Sequence, residues 1–414
     1  EGFIDDVQVR GELPGRSEHV QRLLANIAEE KPVHIHTIER YMLLVNDIDG
    51  IYAQSTLVPG SVLGSSTLMV DVSRSAFDAL VGIDNRGSEF LGPVRGRLEL
   101  DFNTLFGTYS SLGAFISSTG SNDELHFGAL SFQSRLGDNG LKILGNASIV
   151  RSEPEQSIQS RGLETDSESA LLALSYPILR TRSQNLTFNG QFSYYDGDVD
   201  LLGFTISEDR VRALRLGLTW DLFDQYGGVN IVDATLSQGL DVMNASDPEE
   251  DLVSRLDAEL NFTKINVYAA RLQSITPKLS VLAALDGQYA FDAVLNSEGY
   301  GYGGELFGRG YDPSELFGDS GAGFKLEFRY LTAGLGFVSR AEPYAFWDIG
   351  YVRSKTEVLG SDKSDSAASA GVGLRFNLGA SVSGYIEVAK PLTREVFAEG
   401  DKDARVFGAI SYSF

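Results

Sequence analysis

Few residues in this 414-residue chain have the types and spacing that covalent chemistry requires. The chain has no cysteine, which removes thiol nucleophiles, thiolate metal sites and disulfides. None of its serines lies in a nucleophile elbow, and its four histidines do not suggest a catalytic triad. The sequence therefore predicts no enzyme and no cofactor, so the chemistry of this chain must be sought in its charged residues.

Two local patterns resemble ligand sites but lack the context that such sites need. Gly299, Gly301 and Gly304 match G-x-G-x-x-G, yet no predicted helix opens after them and no βαβ unit surrounds them. His34 and His36 have no cysteine or carboxylate at a useful metal-binding spacing, and are interpreted as linker or helix N-terminal positions. Neither a nucleotide site nor a metal site is predicted.

One charged residue, Arg309, lies at the centre of the glycine-rich segment GGELFGRGYDPSELFGDSG, residues 303–321. The segment is too polar and too rich in glycine for a strand, and with its flanks it is too long for an ordinary hairpin loop. A functional loop is the better interpretation. Its arginine lies either at a solvated tip or in a charge pair within the protein, where an unpaired arginine would be costly.

Composition limits what such a loop could serve. The formal net charge of -23 and the pI near 4.5 argue against nucleic acid or an acidic membrane surface as the main partner. No window of about 18 apolar residues predicts a transmembrane helix, but alternating transmembrane strands would escape that test. Glu1 opens directly on a strand-like run, as expected for a mature or trimmed chain.

Helical periodicity is confined to the N-terminal part of the chain. Two segments there place apolar residues at i, i+3, i+4 and i+7, with Ser17 and Thr37 as candidate N-caps. Strand-like runs at 3–9, 51–57 and 67–72 complete the order β-α-α-β-β, which predicts a small α+β domain with both helices on one face of a three-stranded sheet. The apolar positions are Val20, Leu23, Leu24 and Ile27, then Ile38, Tyr41, Met42 and Val45.

After residue 74, strict alternation of apolar and polar residues replaces the helical pattern. A soluble sandwich would also alternate, so the loops decide between the two interpretations. Sixteen alternating segments of roughly ten residues are joined by mostly long, acidic connections after odd strands and mostly short turns after even strands, which favours a closed transmembrane β-barrel. The segments begin near Ser75, Pro93, Thr108, Glu124, Gly140, Ser167, Gln184, Glu208, Gly227, Leu252, Pro277, Ser320, Ala341, Ala367, Ser381 and Asp403.

Five segments carry a specific combination of motifs: TIERYMLLVNDIDGIYAQSTLVPG (37–60), SYPILRTRSQNL (175–186), TLSQGL (235–240), GRGYDPSELFGDSG (308–321) and FWDIGY (346–351). In this order they resemble the outer-membrane transporters of two-partner secretion, the haemolysin-activation and filamentous-haemagglutinin secretion proteins. That family belongs to the superfamily that includes the barrel-assembly machinery. The resemblance implies a mostly β protein: a 16-stranded antiparallel transmembrane β-barrel, residues 74–414, in the bacterial outer membrane. It also implies one periplasmic α+β POTRA domain, residues 1–73, similar to the family's second.

The resemblance implies an outer-membrane translocation pore that exports, and helps to activate, a large secreted β-helical partner protein. The POTRA domain would capture the unfolded partner, and the barrel, a monomer in outer-membrane lipid, would conduct it. Two alternatives stay open: an assembly factor of the same superfamily, which would carry more POTRA domains, and a diffusion porin, which would need none. Extended chains bind by adding a strand to a sheet edge. Predicted partner contacts on the helix at 36–46 are Ile38, Tyr41, Met42 and Val45, whose spacing also fits core packing.

The resemblance also assigns a role to the glycine-rich segment. In this family the sixth extracellular loop, here residues 292–319, folds back into the lumen. Its tip carries a hydrophobic-Arg-Gly-aromatic motif, which corresponds to Arg309, Gly310 and Tyr311. Gly308 stands where the family has a hydrophobic residue, a departure that Phe307 could compensate.

In the family the loop arginine pairs with an aspartate of the barrel wall, and alternation in YAFWDIGY independently points Asp348 inward with Phe346. We expect Arg309 and Asp348 to hold the loop in one of two positions and thereby gate the pore. The predicted supporting charges in the lumen are Lys325, Glu327, Arg329 and Arg375.

Overall fold

The computed structural model describes residues 2–11, 18–105, 109–120, 125–154, 162–247, 251–334, 336–356 and 363–414. Ser17, a predicted N-cap, lies outside these residues. The first elements are β1 (Phe3–Gly11), α1 (Glu18–Glu29), α2 (Ile35–Asn46), β2 (Ile51–Pro59) and β3 (Ser65–Arg74).

These elements form a three-stranded sheet covered by two helices. The strand order is β1-β3-β2, with β1 parallel and β2 antiparallel to β3. Both helices contribute to one core, in which the four apolar residues predicted for α1 are buried. Thr37 lies inside α2, because the helix already begins at Ile35 with His34 as its N-cap, so the predicted cap at Thr37 is wrong.

The following strands form a closed barrel. It has sixteen strands, because β17 and β18 both pair with β19 and act as one interrupted strand. In chain order they are β4 (Phe77–Asp84), β5 (Arg95–Phe102), β6 (Ser110–Thr119), β7 (Leu125–Leu136), β8 (Leu141–Ser152), β9 (Leu163–Arg180), β10 (Gln184–Leu201), β11 (Phe204–Phe223), β12 (Gly228–Gly239), β13 (Thr263–Ser274), β14 (Leu279–Ala290), β17 (Ser320–Tyr330), β18 (Thr332–Ala333), β19 (Val338–Arg353), β20 (Ser364–Leu378), β21 (Val382–Pro391) and β22 (Arg405–Ser413). Between β14 and β17 lie a 3-10 helix (Asn296–Glu298), β15 (Tyr300–Tyr302) and β16 (Leu316–Gly318).

All neighbouring barrel strands are antiparallel, and β22 pairs with β4 to close the barrel. One end, the short-turn end, has tight connections such as 181–183 and 379–381. The opposite, long-loop end has connections such as 240–262 and 392–404. This asymmetry and the sixteen-stranded antiparallel barrel confirm the prediction from alternation.

Two details of the strand prediction differ from the structure. The tenth barrel strand begins at Thr263 rather than near Leu252, because Val253 and Phe262 pack with Val294 in a buried cluster instead of joining the strand ladder. Strands β9 to β11 have 18 to 20 residues, which is about twice the predicted length.

The barrel wall separates an apolar outer face from a polar lumen. In β19, Trp347, Ile349 and Tyr351 are exposed on the outside, whereas Phe346 and Asp348 are buried inside. The strand period of two produces this division, because successive side chains point to opposite faces of the sheet. Neither described helix has the length and apolar character that crossing a membrane would require.

Candidate functional site

Residues 292–319, here called the lumenal loop, fold into the interior of the barrel. Its aromatic residues Tyr302 and Tyr311 are almost completely buried, and they pack against Val352 and Ala367 of the wall. Within the loop, β15 and β16 pair as a short antiparallel ladder. The glycine-rich segment therefore contributes one strand, β16, to this ladder, although its composition did not predict a strand.

Close packing around Tyr302 explains two glycines. Gly308 has a φ of +76°, a left-handed conformation, and a Cβ there would lie 2.8 Å from the Tyr302 ring. Gly350 on β19 faces the same ring, where a Cβ would come within 2.2 Å. The packing of the loop itself therefore accommodates glycine at position 308, where the family has a hydrophobic residue. Phe307 supplies a buried apolar side chain one position earlier.

Arg309 lies at the loop tip, 4% exposed, and pairs with Asp348, which is fully buried. Its Nε and Nη2 donate to the two Asp348 carboxylate oxygens at 3.0 and 2.9 Å, and its backbone N–H donates to Oδ2 at 3.0 Å. The guanidinium also lies 3.6 Å from the centre of the Phe346 ring. This bidentate, stacked arrangement is the geometry for which arginine is suited and lysine is not.

The structure brings the four predicted supporting charges to the same region. Glu327 is buried and accepts hydrogen bonds from Arg309, from Arg329 at 2.7 Å and from Arg375 at 2.8 Å. Lys325 donates to the Leu306 carbonyl of the lumenal loop at 3.1 Å. One loop arginine is therefore held by carboxylates from two adjacent wall strands, β17 and β19.

The other two predicted tip residues also contact the wall. The Gly310 N–H donates to the Ser369 hydroxyl at 3.2 Å, and a Cβ at Gly310 would lie 2.8 Å from the Ser369 Cβ. The Tyr311 hydroxyl donates to the Ala368 carbonyl at 3.0 Å. Each residue of the Arg-Gly-Tyr motif thus makes a distinct contact with the barrel.

The sequence did not identify several charges that complete this site. Glu387 on β21 is buried 3.7 Å from Arg309, and Arg86, which follows β4, donates to the Arg309 carbonyl at 3.1 Å. Alternation in YIEVAKP places Glu387 on the inner face, so its burial was accessible from the sequence. Its proximity to Arg86, 301 residues earlier in the chain, was not.

The base of the lumenal loop is anchored by a second set of charges. Buried Glu298 pairs with Lys264 at 2.7 Å and with Arg215 at 2.5 Å. Asp319, fully buried, accepts from Arg255 at 2.6 Å and from two backbone N–H groups. The loop is therefore held at its tip and at both ends.

The predicted partner contacts on α2 do not share one environment. Met42 and Val45 are buried in the core of the three-stranded sheet, whereas Ile38 and Tyr41 are partly exposed at its edge. Core packing, which the spacing also allowed, therefore accounts for Met42 and Val45. Only Ile38 and Tyr41 offer surface to another chain in this arrangement.

Helices α1 and α2 contact the short-turn end of the barrel. Arg180 of β9 donates to Asp47 at 2.5 and 3.0 Å, and His19 of α1 lies 3.2 Å from Asp138 in the β7–β8 turn. Burial lowers the pKa of His19 below its ordinary value, and this outweighs the opposing attraction of Asp138.

The two histidines at the start of α2, the N-cap His34 and His36, have carboxylate neighbours: His34 lies 2.7 Å from Glu30 and His36 lies 3.7 Å from Glu39. The prediction that these histidines lack useful carboxylate company was therefore incomplete. Within the ranges that the structure describes, no group of three or more potential metal ligands occurs.

The lumenal site, in contrast, can hold a loop or release it through its charge pairs.

The chain is similar in sequence to two transporter proteins. The chain is 22% identical over 377 residues to the heme/hemopexin transporter protein HuxB of Haemophilus influenzae strain 86-028NP, covering 87% of this chain and 64% of HuxB. It is 24% identical to the outer membrane transporter CdiB of Dickeya dadantii, covering 80% of this chain and 59% of that protein. The chain thus spans less than two thirds of the length of these relatives.

Solved structures show the same fold. CdiB from Escherichia coli matches all of this chain and 77% of its own chain, with a TM-score of 0.85 and 20% identity. BamA from Haemophilus ducreyi, lacking POTRA domains 1–3, matches all of this chain and 85% of its own, with a TM-score of 0.64 and 11% identity. The model of the haemolysin secretion/activation proteins ShlB/FhaC/HecB matches residues 64–376. The chain therefore belongs to the ShlB/FhaC/HecB family, whose barrels lie in the bacterial outer membrane.

Proposed function

We propose that this chain forms the translocation pore of a two-partner secretion system. The barrel, residues 74–414, conducts a large β-helical partner protein in unfolded form and helps to activate it by export. The α+β unit, residues 1–73, is a POTRA domain on the periplasmic side, where the short-turn end of the barrel lies. The pore works as a monomer, and folding of the partner outside the cell prevents its return.

The observation that carries this proposal is the lumenal loop held in the barrel by buried charge pairs. Arg309 and Asp348 are both removed from solvent, and such a pair is strongly favoured only while both partners remain in place. A loop held in this way occupies the path of a translocating chain and can be released as a unit. The polar lumen gives an unfolded chain in transit no apolar surface on which to adhere.

Capture of the partner is supported by the sheet edges of the α+β unit. In the order β1-β3-β2, β2 is an edge strand, and α2 packs beside it. Tyr52 and Leu57 of β2 are exposed next to that edge. An extended segment of the partner adds a strand to β2 and contacts Ile38 and Tyr41. Its main-chain hydrogen bonds then supply the affinity, and they do not depend on the partner's sequence.

One observation favours a second candidate, an outer-membrane assembly factor. The ladder between the first and last barrel strands, β4 and β22, contains five residue pairs, whereas the adjacent β4–β5 and β21–β22 ladders contain eight each. A short closing ladder is easier to part. The occupied lumen argues against the third alternative, a diffusion porin.

The test compares cells with and without this gene. We expect the deletion to remove one large, repetitive, β-rich protein from the medium while the other outer-membrane barrels keep their abundance. Depletion of many barrels with a normal set of secreted proteins would assign the chain to assembly instead. If both sets were unchanged, the secretion proposal would be wrong.

A further inference from the structure

We propose that a cleft on the outer face of the barrel binds the phosphate-bearing headgroup of a lipid from the outer leaflet of the membrane. The cleft lies at the long-loop end, where β14, β17 and β19 run side by side, and Arg353 and Lys355 stand at its rim. It is on the opposite face of the wall from the lumenal site. The inference goes beyond the proposed function, and it does not depend on the export of a partner protein.

Small residues form the floor of this cleft. On β17, Ala322 is exposed on the outer face, and alternation puts Ser320 on the same side. Ala322 pairs with Gly287 of β14, where a Cβ would lie 3.7 Å from the Ala322 Cβ. The wall is therefore low along this line, and the cleft above it has a volume of about 420 Å³, within the range of ligand sites.

Two tyrosines form the sides of the cleft. Tyr289 of β14 is 56% exposed, and Tyr351 of β19, which pairs with Ala322, is 47% exposed. Tyrosine is enriched where barrels meet the membrane–water interface, because its ring is apolar and its hydroxyl is polar. The cleft thus lies at the depth where the headgroups of lipids begin.

Arg353 and Lys355 supply positive charge at the rim. Arg353 is exposed on the outer face of β19 and pairs with Ser320. The Lys355 ammonium lies 5.4 Å from the centre of the Tyr289 ring, so its side chain reaches across β17 to the far side of the cleft. The two cations therefore stand over the same floor of small residues.

Neither cation is neutralised by a carboxylate within the part of the chain that the structure describes. Asp319 accepts the Lys355 backbone N–H, but it is fully buried and its charge is paired with Arg255. Two adjacent cations without an acidic partner are unusual in a chain with a net charge of -23. That net charge disfavours general attraction to an anionic surface, so any attraction must come from this local pair.

This arrangement suits an anion that is attached to an apolar body. Phosphate oxygens at the rim would accept hydrogen bonds from a guanidinium and an ammonium group. Toward the membrane centre, Leu285 and Ile349 continue the exposed apolar face, on which acyl chains can lie. Longer loops face the outside of the cell, so the lipid belongs to the outer leaflet, which consists largely of phosphorylated glycolipids.

The test measures how tightly lipid A, the phosphorylated anchor of those glycolipids, binds to the whole chain in detergent micelles, by native mass spectrometry. We expect one tightly bound lipid A and much weaker binding of its phosphate-free form. Arg353→Gln should weaken binding about fivefold, and Arg353→Gln with Lys355→Gln about 25-fold, as loss of one and two cations near a charged lipid predicts. Equal binding of the two lipid forms would overturn the proposal.

A matched control removes two positive charges from the same end of the barrel but outside the cleft. Arg151, paired with Glu153 at 3.0 Å, lies at the end of β8, and exposed Lys402 lies in the connection 392–404. Arg151→Gln with Lys402→Gln should leave the affinity for lipid A unchanged. A loss equal to that of the cleft double variant would mean that only the overall charge matters, and the proposal would be wrong.

A second variant tests the cleft without touching its charges. Ala322→Phe keeps both cations and fills the floor, so it should weaken binding about as much as the double variant in the cleft. If Ala322→Phe binds lipid A like the unaltered protein, the cations attract lipid without a cleft, which contradicts the proposal. Every variant is compared after heat-dependent gel mobility has shown a folded barrel.

Discussion

At the scale of single residues, the lumenal site depends on the chemistry of Arg309. Its guanidinium satisfies Asp348 through two bonds and Glu327 through a third, while its face lies on Phe346. Removing these charges from water costs several kcal/mol per ion, which only such multiple contacts offset. A simple exchange of Arg309 and Asp348 is therefore not expected to restore the site, because an aspartate at 309 would face Glu327 and Glu387.

The first prediction concerns the free energy that holds the loop. Arg309→Met should destabilise the docked loop by about 3–5 kcal/mol, because it leaves the buried Asp348 carboxylate without its charge partner and removes one of the three arginines that bind Glu327. Arg309→Lys should lose less but still be impaired, since lysine cannot form the bidentate bond. The opening free energy is obtained from native-state amide exchange of residues 300–318.

The matched control is Arg340→Met, which breaks the exposed pair with Glu342 at the short-turn end. An exposed pair contributes roughly 0–1 kcal/mol, so loop exchange should stay as it is. Equal effects of Arg309→Met and Arg340→Met would mean that the buried pair does not hold the loop.

At the level of strands and loops, glycines in the barrel wall hold the lumenal loop in place as much as the charge pairs do, because they leave room for its side chains. The Tyr302 ring lies over Gly350 of β19 and near Gly323 of β17, where a Cβ would approach within 2.2 and 3.2 Å. Both glycines lie in the middle of strands, where the sheet alone would favour residues with side chains. They are required because another backbone segment packs against them.

The second prediction tests this seat. Gly350→Ala should displace Tyr302 and loosen the lumenal loop, because the new Cβ overlaps the ring and the ring is enclosed by Gly308 and Phe307. Ala367 is 1% exposed beneath the lumenal loop and the chain has no cysteine of its own, so the rate at which a maleimide labels Ala367→Cys reports loop release. This rate should rise about fivefold to a hundredfold, as roughly 1–3 kcal/mol of overpacking predicts. Gly96→Ala on β5 serves as the control, because the new Cβ would lie 4.0 Å from its nearest neighbour. If both variants label alike, the seat does not depend on Gly350.

At the level of the whole molecule, the α+β unit is docked on the short-turn end of the barrel largely by polar contacts, and Tyr109 also packs against its apolar core. Asp47 is held by Arg180, Glu39 accepts the Arg182 backbone N–H at 2.7 Å, and His19 reaches Asp138. Contacts of this kind are weaker than a hydrophobic interface, so domain motion is the default expectation. The docking should therefore respond to conditions that change these charges.

The third prediction follows from His19. Burial holds its pKa below the ordinary value of 6.5, so the docked state binds the proton more weakly than the undocked state. Docking of the α+β unit should be complete above the ordinary pKa of 6.5 and should weaken as the pH falls through that value, because protonation of His19 then favours the undocked form. Spin labels at the exposed positions Gln54 and Ala380 should show a broader distance distribution at pH 5.5 than at pH 8. His19→Gln should remove the difference, and a pH response that persists in this variant would exclude His19 as its source.

Local patterns in the sequence are enough to predict the strands and helices and which face of each is buried. Alternation after residue 74 predicted the barrel, because a strand exposes successive side chains on opposite faces whatever the strand pairs with. The same rule directed Asp348 into the lumen, and helical spacing placed Val20 and Ile27 in a core. The resemblance of the segment around Arg309 to one family then supplied its partner.

Which charges meet across the lumen depends on how the barrel closes and where the lumenal loop runs, and local patterns do not reveal it. Arg86 and Glu387 contact each other because the barrel closes between β4 and β22, and the loop tip reaches Arg86 through the Arg309 carbonyl. In the α+β unit, the packing of α2 on its own sheet decides that Met42 faces the core while Tyr41 stays partly exposed. Periodicity is a local property of the backbone, whereas these contacts depend on strand register around the barrel and on the path of the lumenal loop, which residues far apart in the chain set together.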